Sequence, residues 1–148
     1  MTLNRGEKAA GQIAADANVL LSAVLGGRAR LILESPQVDQ ILTVEQIMAE
    51  VEEYAGLLAR KKRLAEDLVL LAVGALPVSV VERTDYAAAI PEATKRIGQR
   101  DPDDVELLAL TLAFNIPVWS NDNDFEDAGV QWFTTEKLLQ HLGIIEAP

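Results

Sequence analysis

Cysteine is absent from the 148 residues, and histidine occurs once, as His141. The first absence excludes disulfide frameworks, thiolate zinc sites and thiol nucleophiles; the second excludes any catalytic or metal site that needs two imidazoles. Cationic residues are scarce, 13 Lys and Arg against 23 Asp and Glu, for a formal net charge of -10. That is the wrong sign for binding nucleic acid by bulk electrostatics, so a nucleic-acid partner would have to be met locally, with metal cations present. Long apolar runs are missing too. The longest nearly apolar stretch, Leu68 to Val81, is interrupted by Gly74 and Pro77 and reads as a buried helix-to-strand segment rather than a membrane span. Asp16 cuts short the apolar stretch that follows Arg5, Glu7 and Lys8, so no signal-peptide core forms, and the cytoplasm is the default compartment. What is plentiful is apolar material, 49 % of positions, enough for a core, and carboxylate.

Repeats, low-complexity tracts and Gly/Ser linkers are absent from the sequence, which predicts a single domain over residues 11–148 preceded by a loose arm of ten residues. Short apolar runs alternate with helical patterns. Strands are expected at Gln12 to Ala15, Gln40 to Thr43, Pro77 to Val81, Pro117 to Ser120 and Val130 to Phe133, and helices around 17–25, 44–63, 65–75, 85–98 and 102–114, with a last one from Thr135 to His141. Strands separated by helices need crossover connections, hence a parallel sheet covered on both faces, an α/β fold. Thr43 and Gln46 have the spacing of a capping box. Asp101 before Pro102 fits an N-cap, and Asn115 before Pro117 fits the stop of that helix, whose body from Val105 to Phe114 is apolar nearly all round and therefore central.

In an open parallel sheet the carboxyl ends of the strands gather at one edge, where ligands bind. Asp16 directly follows the first expected strand; Asp122 follows the fourth by two residues, with Asp124 behind it; Asp104 sits in the first turn of the central helix. If the first and fourth strands are neighbours, Asp16 and Asp122 converge. At roughly 100° per residue, Val44, Ile47, Val51, Tyr54 and Leu58 make one stripe, with Glu50 about 70° from its centre and Glu45, Glu52 and Glu53 about 130° or more away. Glu50 is the acid of that helix best placed to point inward. Carboxylates that share a small volume repel unless cations neutralise them, and oxygen-only ligands select Mg²⁺ or Mn²⁺. Metal-dependent phosphoryl chemistry is what such a cluster best supports. Simpler roles compete: Asp104 suits a helix start, Glu50 a solvated helix face, and Asp122 and Asp124 Asx turns.

The segments Asp16-Ala17-Asn18-Val19-Leu20-Leu21-Ser22-Ala23, Asp101-Pro102-Asp103-Asp104-Val105-Glu106-Leu107-Leu108-Ala109-Leu110 and Ser120-Asn121-Asp122-Asn123-Asp124-Phe125 resemble, in this order, the opening motif and closing pair of PIN domains. The resemblance runs from Gln12 to about Leu142. It implies a three-layer α/β/α domain with a five-stranded parallel sheet and Mg²⁺- or Mn²⁺-dependent ribonuclease activity. Many members are toxins of the VapC type, which dimerise and are silenced by a small antitoxin. Carried over, Asp16, Glu50, Asp104 and Asp122 match the four family acids, with Asp124 as a further metal ligand and Asn18 and Ser120 as supporting polar groups. Asp101 and Asp103 compete with Asp104, and the other acids of the Val44 to Glu53 stretch compete with Glu50.

Arg60-Lys61-Lys62-Arg63 is the one dense basic run, either a solvated helix end or a patch that contacts RNA phosphates. Trp119 and Trp132 are expected in the core and His141 at an exposed or capping position. Two rivals stand beside the nuclease reading: a phospho-acceptor receiver module, which wants adjacent acids after its first strand and a Lys after its last, and a PIN-fold binding module that acts only through a protein partner.

Overall fold

The computed structural model describes residues 11–146; the expected N-terminal arm lies outside them. In chain order the elements are β1 (Gly11–Ala15), α1 (Ala17–Val24), α2 (Ala29–Leu33), β2 (Val38–Val44), α3 (Glu45–Lys61), α4 (Glu66–Gly74), β3 (Ser79–Val81), α5 (Ile90–Ile97), α6 (Val105–Phe114), β4 (Val118–Trp119), β5 (Trp132–Phe133) and α7 (Thr135–His141). Single 3₁₀ turns stand at Arg83–Asp85, Ala87–Ala89, Pro102–Asp104 and Asn123–Phe125.

All five strands are parallel, in the order β3-β2-β1-β4-β5. The expected α/β/α fold is therefore present, with β1 in the middle. A receiver module would carry the order 2-1-3-4-5, which this sheet does not have. The two crossovers β1 to β2 and β2 to β3 run in the same direction, so right-handed connections place α1 to α4 on one face, where α7 joins them against α2. The return from β3 to β4 places α5 and α6, packed on each other, on the opposite face against β1 and β2. Ile13, Ala14 and Ala15 of β1 are fully buried, as are Leu107 to Leu110 of α6. A helix apolar on all sides belongs between a sheet and a second helix, and α6 sits there. It ends at Asn115 in the left-handed conformation, φ 53°, the C-terminal stop that Asn tolerates.

Several local expectations fail for identifiable reasons. Thr43 does not cap α3. It lies inside β2, fully buried, paired with Val80, and its hydroxyl donates to the Ala15 carbonyl at 2.9 Å; Val44 opens the helix with no side-chain cap. The buried stripe of α3 runs through Ile47, Val51, Ala55 and Ala59, so Tyr54 is exposed and Leu58 only half-buried. The small residues Ala55, Gly56 and Ala59 let α4 approach α3 closely. The stretch from Leu68 to Val81 is not a buried segment: Leu68 and Leu71 of α4 are 65 % and 67 % exposed, and Val80 is exposed as well. Asp101 closes the Pro102–Asp104 turn through its main-chain carbonyl, which accepts from Asp104 N at 3.0 Å, and makes no side-chain cap. The short helix α2 has no counterpart among the expected elements. His141 is half-buried against Phe133, ring centroids 5.0 Å apart. Trp119 is fully buried as expected, its indole N–H donating to Thr135 Oγ1, whereas Trp132 is half-buried and donates to the Ser120 carbonyl. Among the described residues no helix is long and apolar enough to cross a membrane.

Candidate functional site

The carboxyl ends of β1 and β4 are adjacent, Ala15 beside Trp119, and the next residues along each strand open a cavity of about 500 Å³. Its lining includes Asp16, Asn18, Glu50, Asp104, Asp122 and Asp124, together with Asp101, Asp103, Tyr54 and Arg100. Acids from four separate segments of chain thus face one volume.

Asp16 is the most buried of them, 5 % exposed. It ends β1 and caps α1: Oδ1 accepts from Ala17 N at 2.8 Å and Oδ2 from Ser120 Oγ at 2.8 Å. The N-cap gives this acid a structural reason to follow a strand, one that strand patterning did not reveal. Ser120 is fully buried, and its Oγ also accepts from Asn18 Nδ2 at 3.1 Å and from Asp122 N at 3.2 Å, so its proton and both lone pairs are committed. Asn18 Oδ1 accepts from Asn121 N, and Asn121 Oδ1 from Thr135 N, which ties α1, the end of β4 and the start of α7 together. Asp122 caps the Asn123–Phe125 turn by accepting from Asp124 N at 3.3 Å. The expected Asx turn is therefore real, and it leaves the rest of that carboxylate facing the cavity.

Burial pushes the Asp16 carboxyl above its ordinary range, against the pull of the Ser120 and Ala17 hydrogen bonds and with the charges of Asp122 and Asp124 adding to the rise. Glu50 is raised by partial burial and by the charges of Asp16 and Asp103. Asp104 is pushed up to about 8 by burial, by the charge of Asp16 and by sharing a hydrogen bond with Asp124. Asp124 is raised by burial, opposed by that same hydrogen bond. Such a set carries its negative charges reluctantly and favours any divalent cation that relieves the repulsion.

The tightest group is Asp101, Asp104 and Asp124, each with a carboxylate oxygen within 4.8 Å of the others. Asp101 stands just ahead of the Pro102–Asp104 3₁₀ turn, and the bond from Asp104 N to its carbonyl that closes the turn keeps the two residues together. An all-oxygen donor set of this kind fits Mg²⁺ or Mn²⁺ and not a thiolate- or imidazole-seeking metal. The basic run is elsewhere. Lys61 is about 16 Å along the axis of α3 from Glu50, Arg60 is bonded to Glu66 at 2.6 Å, and none of Arg60, Lys61, Lys62 and Arg63 lines the cavity.

The family model of the PIN domain matches residues 14–143. The chain belongs to the PIN domain family. Among curated proteins none matches it. Two solved structures share the fold of this PIN domain. One is a chain in the crystal structure of VapBC2 from Rickettsia felis bound to a DNA fragment from their promoter, at TM-score 0.64 and 12 % identity, covering 83 % of this chain and 98 % of that one. The other is a chain in the crystal structure of FitAcB from Neisseria gonorrhoeae, at TM-score 0.60 and 18 % identity, covering 84 % and 98 %. The match spans every acid that this PIN domain places around the cavity.

Proposed function

We propose that this PIN domain is a Mg²⁺- or Mn²⁺-dependent endoribonuclease that hydrolyses RNA phosphodiester bonds in the cytoplasm, and that it acts as the toxin of a toxin-antitoxin pair. The observation that carries the reading is the convergence of Asp16, Glu50, Asp104, Asp122 and Asp124 from four segments on one cavity. Asp104, Asp124 and Asp101 would hold the first ion, and Asp16, Glu50 and Asp122 line the wall from which a second could be held or a water oriented. A divalent ion there supplies positive charge for a phosphate and makes a water acidic enough to attack it. The chain's own part is to keep the acids fixed: Ser120 and Asn18 lock Asp16, and the Asx turn locks Asp122. The likeness to chains of VapBC2 and FitAcB supports an antitoxin partner. Exposed apolar side chains on α3, α4 and the turn between them, Leu57, Leu64, Leu68 and Leu71, offer protein partners, an antitoxin chain or a second copy of this one, a surface to cover.

Purified protein is expected to cleave RNA with Mg²⁺ or Mn²⁺ and to stop with chelator. Asp122→Asn should abolish cleavage with the melting temperature unchanged, since that carboxylate serves one long hydrogen bond. Asp16→Asn should abolish it too, at a stability cost of roughly 1–3 kcal/mol, because its amide donor meets a Ser120 oxygen with no lone pair left. A double variant that still cleaves at the wild-type rate overturns the assignment of the chemistry to these acids, and wild-type protein that cleaves no RNA with either metal overturns the reading in favour of a binding module.

A further inference from the structure

Among the described residues, Arg100 is the single cation lining the acidic cavity. Its guanidinium is anchored on both sides of the mouth: Nε donates to Asp101 Oδ2 at 2.7 Å, and Nη2 donates to the Asp124 main-chain oxygen at 2.8 Å. Arginine has five N–H donors. Two are spent on these bonds, and the side chain is still 47 % exposed. The plane of the fork is therefore fixed while its remaining N–H groups, on Nη1 and Nη2, stay available at the rim. A guanidinium held this way loses little freedom when it meets an anion, and its geometry matches two oxygens of one phosphate.

A second groove starts where the first ends. It is lined by residues 94–100, the end of α5 and the turn after it, and Arg100 belongs to both. Lys95 and Gln99 face this groove with Arg100. Arg96 is occupied otherwise, bonded to Glu92 at 2.8 Å and to the Ala128 carbonyl at 2.8 Å, beside Gly129, whose φ of +77° and lack of a Cβ leave room for the guanidinium. Among the described residues, the cations that line the acidic cavity and the adjoining groove thus lead from Arg100 toward Lys95. The long basic run on α3 lies at the far end of its helix.

We infer that Arg100 is a phosphate-binding residue of this site: it receives a backbone phosphate of single-stranded RNA next to the one placed at the acids, and the strand continues over Lys95 and Gln99. This rests on the nuclease reading and adds to it the direction in which the substrate leaves the cavity. Arg100 touches substrate and takes no part in moving protons.

The test measures binding of a fluorescent single-stranded oligoribonucleotide by anisotropy, with Mn²⁺ present, in an Asp122→Asn background so that the strand stays intact. Adding Arg100→Gln is expected to weaken binding about tenfold and to make the slope of log affinity against log salt shallower by about one phosphate contact. Arg100→Lys should recover part of the affinity, and Lys95→Gln should cost two- to threefold. Mn²⁺ affinity measured by calorimetry and the melting temperature should stay at the values of the background protein. Unchanged RNA affinity and salt slope in Arg100→Gln overturn the inference. So does a loss of Mn²⁺ affinity as large as the loss of RNA affinity, which would make Arg100 a clamp for Asp101 and Asp124 only. If wild-type protein cleaves RNA and Arg100→Gln behaves like its background, this inference alone fails. If wild-type protein neither binds nor cleaves RNA, the nuclease reading fails and this one with it.

Discussion

Two parts of the surface are incomplete in opposite ways. At the carboxyl edge of the sheet, seven acids face one cavity with one arginine among them, and burial and mutual repulsion raise four of the carboxyls above their ordinary range. Around α4, Leu68 and Leu71 stand about two-thirds exposed, and Leu57 and Leu64 nearly half exposed. The first region lacks positive charge and the second lacks a covering. Neither deficit is met from within the described chain, so one calls for a small cation and the other for a protein. The comparison teaches that a fold can be well packed at its centre while two parts of its surface carry unmet demands of different kinds, one of charge and one of apolar area.

The largest effect that would sharpen this contrast is at Asp104. Asp104→Asn should reduce cleavage at least a hundredfold while raising the melting temperature of metal-free protein near pH 8, because the amide keeps a donor toward Asp124 and removes one buried like charge. A variant that loses activity and stability together would show that the acid serves the fold and not the cavity's chemistry.

Of intermediate size is the pH dependence. A carboxyl raised from 3.8 to about 8 binds its proton more tightly in the folded chain than in the unfolded one. Its stabilising contribution is therefore complete below about pH 4 and is lost as pH rises toward 8. Metal-free protein should melt at lower temperature at pH 8.5 than at pH 5.5, and Mn²⁺ should remove most of the difference by binding the ionised form. Equal melting temperatures without metal would mean that the acids do not repel one another as described. The smallest effect on the chain itself belongs to the apolar face. Leu68→Glu with Leu71→Glu should change stability by no more than about 0.5 kcal/mol per site and leave cleavage intact, yet abolish self-association or partner capture by light scattering. Loss of folding would instead place these leucines in the core.

How much of this was legible in the sequence differs between the same two regions. The alternation of short apolar runs with helical patterns is a local property, and the sheet follows it even at β1, whose Gln-Ile-Ala-Ala stretch has weak strand propensity but whose Ile13, Ala14 and Ala15 are buried on both faces. Strand ends then locate Asp16 and Asp122, and helical arithmetic locates Glu50, without knowledge of side-chain contacts. Asp101 was read as a competitor of Asp104, and that the two stand together with Asp124 depends on a segment twenty residues further along the chain. Arg100 was hidden because its anchor, the Asp124 carbonyl, is 24 residues away. The exposure of α4 was hidden for a related reason: an apolar run looks the same whether its own chain buries it or a partner does.

One further consequence follows from Ser120. With its hydroxyl proton and both lone pairs already assigned, it requires an acceptor facing it, while Ala17 N requires a second one, so the side chain that fits between them accepts at both terminal atoms. Position 16 is thereby constrained by its neighbours before any reaction is asked of it. Descendants that drift toward inactivity would be expected to change first at Asp122 or Asp124, whose oxygens hold fewer partners, and to keep Asp16 as an inherited relic.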